Sequence, residues 1–274
     1  MNKELNYKTI VNLQHKEVQG KKCSAVACMS IVNDDIYVLS SHSSSDNFKQ
    51  PVVLHKLYNY ISNSNPNVGY SYETIRTSKG SENIAVHANS MTYNNHLFYM
   101  VTRNGTDNEN QVIVFGSDGI IKNKLKYAHI GSKLATINHY KDDKFIISVG
   151  GGNTIPYRVV QNSGNYLNDV FSFKLKIADS EYQTGNDSYY DKKSKKIYVT
   201  KFKDDLIHNA IYVYDLSKLS AGKTYTPTDV YYINAKNGES QFEIEGLGIF
   251  ENNIYVCTNS VKNSKQTDSI CKLL

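Results

Sequence analysis

The chain has 274 residues and a formal charge of +5 from 31 basic and 26 acidic side chains. That balance is mixed along the sequence, with no basic run interleaved with aromatics, and it argues against a nucleic-acid partner. No window reaches the length of a membrane span, and MNKELNYKTIVNLQHKEVQG has the alternation of a strand in place of the unbroken apolar core of a secretory signal.

With 22 Tyr, 9 Phe, no Trp and 40% hydrophobic residues, the composition favours strands and supplies an ample core. In chain order, one pattern returns five times. It appears as CSAVACMSIVNDDIYVLSS from Cys23, HANSMTYNNHLFYMVTR from His87 and KLATINHYKDDKFIISVG from Lys133. It returns as TGNDSYYDKKSKKIYVTK from Thr184 and FEIEGLGIFENNIYVCTN from Phe242. Each copy is an apolar run, a short turn rich in Asn, Asp and Lys, and a second apolar run, which reads as a β-hairpin. A period of about fifty residues marks a radial array of repeats. Aligning the first runs on Met29, Met91, Ile137, Ser188 and Leu247 leaves a wrap-around gap of similar size, as a closed ring requires.

Outer strands are expected at 52–58, 111–115, 155–160, 210–216 and 269–274, and beyond them at 72–76, 120–127, 171–177 and 228–234. The last position is filled by 7–14, so that the N-terminal strand pairs with the C-terminal blade and leaves no exposed seam. The prediction is an all-β, single-domain, five-bladed β-propeller of four-stranded blades. Its blades lie roughly at 20–80, 81–128, 129–178, 179–235 and 236–274 plus 5–15. The cysteines, Cys23, Cys28, Cys257 and Cys271, read as buried thiols.

In such a ring the first strand of each blade lines the central channel. Counting back two and four residues from each marker gives the candidate ligand site. It comprises His87 and Asn89, Lys133, Asn186, and Glu243 with Glu245; the first blade supplies only Ala25 and Ala27. Two carboxylates two residues apart on a strand share a face and require compensation. They serve a polar ligand at the channel mouth, or they tie adjacent blades together. Neither HExxH nor GxSxG occurs, and Gly150 to Gly152 has neither the spacing nor the following helix of a phosphate loop. No catalytic constellation, metal site or cofactor is called for.

The closing segment SQFEIEGLGIFENNIYVCTNSVKNSKQTDSICKLL resembles the last blade of the helveticin J-like group of large, heat-labile bacteriocins, with support from NDSYYDKKSKKIYVT and HANSMTY. The chain is shorter than that group's type member and its first blade matches poorly. The resemblance implies a monomeric, non-enzymatic recognition protein of a low-GC Gram-positive bacterium or its phage. Such a protein would act outside the cell without a cleaved signal peptide, or alternatively reside in the cytoplasm. Its partner would be a bacterial cell-envelope glycan or surface receptor, for which Tyr offers an apolar face and a hydroxyl. The alternative is a glycoside hydrolase or lyase that uses Glu243 or Glu245 as acid and another channel carboxylate, such as Asp187, as partner.

Overall fold

The structure, a computed structural model, describes residues 1–42, 50–61, 69–81, 83–85, 87–103, 111–127, 134–150, 152–182, 185 and 187–274. Every regular element among them is a β-strand, and no helix there is long and apolar enough to cross a membrane. The strands form five consecutive antiparallel meanders. The first comprises Lys21–Val32, Asp35–His42, Gln50–Leu57 and Tyr70–Thr74; the second His87–Asn94, Leu97–Arg103, Gln111–Phe115 and Ile121–Tyr127. The third comprises Leu134–Lys141, Lys144–Val149, Thr154–Asn162 and Tyr166–Lys176; the fourth Ser188–Asp191, Lys196–Phe202, His208–Asp215 and Asp229–Asn234. The fifth takes Glu239–Phe250, Asn253–Lys262 and Ser269–Leu273 from the C-terminus and Tyr7–Asn12 from the N-terminus, paired from Tyr7 with Leu273 to Asn12 with Ser269.

The hairpins form where the sequence places turn-prone residues between alternating runs. In the second and fifth meanders, Asn95 and His96, and Glu251 and Asn252, all have φ between 47° and 64°. Two successive left-handed residues match the right-handed twist of the flanking strands. The alternation buries side chains on both faces, and five main apolar clusters result, one between each pair of neighbouring meanders. The first strands pack in sequence, and that of the fifth meander packs against that of the first. A short N-terminal strand, Asn2–Glu4, adds in parallel to Asp229–Asn234, an extension the polar triplet NKE does not advertise. All four cysteines are buried free thiols.

Neighbouring first strands are registered by direct contacts. The Ile137 and His139 amides donate to the Ser90 and Thr92 hydroxyls at 3.1 and 3.0 Å. Asn138 donates to Ser188 Oγ and accepts from the Tyr190 amide, each at 2.8 Å. A Cβ on Gly246 would lie 2.7 Å from the Met29 nitrogen, and one on Gly248 would lie 2.7 Å from Ile31 Cγ1. Residue numbers climb together at each of these seams, so these strand pairs run the same way. Met91, Ile137 and Ser188 therefore lie within about one residue of a common level, and so do Leu247 and Met29.

Candidate functional site

Each described first strand except the short fourth is interrupted by a β-bulge near its start. The ladder skips Ala27 in the first meander, Asn89 in the second, Ala135 in the third and Glu245 in the fifth. These are the positions two before the aligned markers. A bulge gives one strand an extra residue and re-aims the side chains around it, which breaks the two-residue alternation used to place the candidate cluster. Consequently Ala88 and Ser90 are fully buried, while His87 and Asn89 are partly exposed.

The candidate residues thus separate. His87 Nδ1 lies 3.1 Å from the Ala88 carbonyl. Glu243 is partly exposed and accepts from the Gln241 side-chain amide; burial and the nearby Asp268 charge raise its pKa, against that hydrogen bond. Glu245 is buried, and its Oε1 accepts from Asn259 Nδ2 at 2.9 Å. Asn259 also clamps the next meander, donating to the Val26 carbonyl at 2.9 Å and accepting from the Val26 amide at 2.7 Å. Lys133 and Asn186 lie outside the described residues.

Beneath this end lies a buried polar hub centred on Asp187, just before the first strand of the fourth meander. Its Oδ1 accepts from the Ser90 hydroxyl at 2.6 Å and from the Ser188 amide at 2.8 Å, and the Leu247 amide also bonds to it. Its Oδ2 fills the space a Cβ on Gly246 would enter, 3.0 Å from that position. One carboxyl thereby links the second, fourth and fifth meanders. Burial first, and then the Glu245 charge, hold Asp187 well above the usual carboxylate range; the Ser90, Ser188 and Leu247 bonds act in the opposite sense. Burial first, and then the same two acids, push the Cys28 and Cys257 thiols up, so both remain uncharged.

The sequence named Asp187 only as a partner carboxylate and gave no sign of Ser90 or Asn259, because their partners lie on other meanders. Lys201, in the second strand of the fourth meander, is buried, and burial lowers its pKa to about 8. Among the described residues, no three His, Cys, Asp or Glu side chains are grouped to hold a metal ion.

What this arrangement can do is proton chemistry, since two carboxyls in a shared dry environment cannot ionise equally. No protein-family model matches the chain, and no curated protein is similar to it. Solved structures do share its fold. The RS223 β-xylosidase superposes with a TM-score of 0.59 at 13% identity, over 98% of this chain and 94% of its own. A Coprinopsis cinerea GH62 α-L-arabinofuranosidase catalytic domain superposes with a TM-score of 0.57 at 8% identity, over 98% and 95%. The Podospora anserina α-L-arabinofuranosidase PaAbf62A, solved with cellotriose, gives 0.56 at 8% identity over 98% and 96%. These relatives by fold are glycosidases. The expectation of a non-enzymatic, bacteriocin-like recognition protein is therefore corrected: it rested on strand and turn patterns that any such ring shares, and the fold is a β-propeller architecture found in sugar-cleaving enzymes.

Proposed function

We propose that the chain is a single five-bladed β-propeller that hydrolyses glycosidic bonds, with Asp187 and Glu245 as its carboxyl pair and a glycan as its partner. The observation that carries the reading is the pairing of two buried carboxyls from adjacent first strands in unlike environments. Asp187 is enclosed, and burial favours its protonated form, whereas Glu245 faces the Asn259 amide, a donor that favours an anion. Glycoside hydrolysis needs one carboxyl of each kind. Once the Asp187 side chain swings out of its hub toward the strand ends on substrate binding, its proton goes to the glycosidic oxygen as the bond to the anomeric carbon breaks. Glu245 takes a proton from the water whose oxygen forms the new bond to that carbon. Glu243, His87 and Asn89, partly exposed at the same end of the strands, would meet the sugar hydroxyls.

The fold relatives support a glycan substrate, and the test follows them. Aryl β-xylosides, aryl α-L-arabinofuranosides and a panel of polysaccharides are incubated with the purified protein. Turnover that falls at least a hundredfold in Glu245→Gln, with the circular dichroism spectrum retained, is the expected result. Absence of turnover across the panel, or unchanged turnover in Glu245→Gln, overturns the proposal.

A further inference from the structure

At the other end of the first strands, next to the hairpin turns, lies a cavity of about 400 Å³. The ends of four first strands build it: Ser30 to Asn33, Met91 to Tyr93, Asn138 with His139, and Tyr189 to Lys193. Its size falls in the range of small-molecule pockets. It is separate from the carboxyl site, since fully buried Cys28, Ile137 and Leu247 and the Asp187 hub lie between the two ends.

The polar groups of this cavity are held in fixed orientations. His139 Nε2 lies 2.7 Å from the Asp142 carbonyl, which only a protonated Nε2 can satisfy, and this leaves Nδ1 as an acceptor for the Lys192 ammonium. Lys192 reaches from the rim, and burial lowers its pKa, while Asp142 and Asp143 lie near His139. The Asp191 carboxylate is occupied by the Lys193 and Ser194 amides at 3.0 and 3.2 Å. The aromatic walls are braced from behind: Tyr190 packs on Tyr140 with ring centroids 5.6 Å apart, and Tyr93 on Phe98 at 5.0 Å.

We propose that this cavity is a second ligand site, for a neutral mono- or disaccharide, independent of the carboxyl pair. Three tyrosines in the lining, Tyr93, Tyr189 and Tyr190, favour a sugar over a small inorganic anion. Tyr rings offer flat apolar faces to the C–H side of a sugar, and the Lys192 ammonium and the Thr92 hydroxyl offer polar groups to its hydroxyls. The site would let the protein hold one part of a glycan while another is cleaved, or hold a released sugar.

The experiment is ligand-observed saturation-transfer NMR with xylose, arabinose, glucose, galactose and their β-linked disaccharides. It is run on the wild type, Lys192→Met, Tyr93→Ala, the milder Tyr93→Phe and Glu245→Gln. Expected are millimolar binding of at least one probe, at least tenfold weaker in Lys192→Met and Tyr93→Ala, and unchanged in Glu245→Gln. Failure of every probe to bind the wild type overturns the proposal. So does binding lost in Glu245→Gln but kept in Lys192→Met and both Tyr93 variants, which would place the sugar at the carboxyl end. Because catalysis is not the readout, a protein without hydrolase activity can still bind here, and the two proposals fail separately.

Discussion

The seam between the second and third meanders and the seam between the fifth and first solve one packing problem by different means. Between the second and third, the apolar cluster around Phe145, Val101, Leu125 and Leu167 is continuous. The outer strands there also join, with Lys126 opposite Tyr166 and Tyr127 opposite Leu167 in parallel, so that two meanders become one sheet. Between the fifth and first, side-chain polar bonds accompany the apolar cluster. Asn259 clamps Val26, Gln266 donates to the Ser24 carbonyl at 2.9 Å, and Asp268 lies 2.8 Å from His15. Apolar burial is non-directional and tolerates sliding. Both seams carry side chains that bond in one register, Ser90 and Thr92 at the one and Asn259 at the other, but between the fifth and first a single side chain holds both the amide and the carbonyl of its neighbour.

The comparison predicts where each seam is vulnerable. Phe145 is fully buried, with ring contacts to Tyr99 at 4.7 Å and His139 at 5.6 Å. Phe145→Ala should cost about 3–5 kcal/mol, read as a fall in the denaturant midpoint with an unchanged slope, because it opens a cavity in the apolar seam. Asn259→Ala should cost about 2 kcal/mol, since it strands the Val26 amide and carbonyl and removes a donor to Glu245. Thr92→Val, at the apolar seam, removes a single bond to the His139 amide and should cost about 1 kcal/mol. If Thr92→Val proves as damaging as Asn259→Ala, the double hold of Asn259 on its neighbour adds nothing to the closing seam.

Much of the fold was legible because hairpins are local. Alternation and Asn- or Asp-bearing turns mark each pair of strands, and five copies made their equivalence visible even where pairings are distant, as between Tyr7 and Leu273. The place of the described candidate residues along the first strands was legible, but their orientation was not. Nothing in HANSM or FEIEG announces that Asn89 and Glu245 are extra residues in their ladders, because a bulge is decided by the partner strand. One extra residue turned the expected ring of inward polar groups into a buried Ser90 beside a partly exposed Asn89. The functional forecast went astray for a related reason. Strand and loop patterns carry the fold, while Glu245 and Asp187, named from sequence only under the hydrolase alternative, are brought together across meanders, which no single strand reveals.

The smallest expected effect per unit of perturbation comes from pH and tests whether the closing region depends on a proton. The folded-state pKa of Asp187 is raised above its unfolded value near 3.8, chiefly by burial and then by the Glu245 charge. The folded protein therefore binds more protons than the unfolded chain at pH values between the two. The stability this carboxyl contributes is fully present below the ordinary carboxylate range and is lost as pH rises towards the folded value. One proton can set a slope of at most about 1.4 kcal/mol per pH unit in that window. Urea unfolding from pH 4.5 to 7 should show stability from this group falling with pH in the wild type, whereas Asp187→Asn, which cannot ionise, should flatten that component whatever its absolute stability. The difference between the two profiles is the diagnostic quantity, since other titrating groups act on both. Parallel profiles would mean that the Ser90, Ser188 and Leu247 bonds outweigh burial and hold Asp187 as an anion, and the proton assigned to it for hydrolysis would have to come from elsewhere.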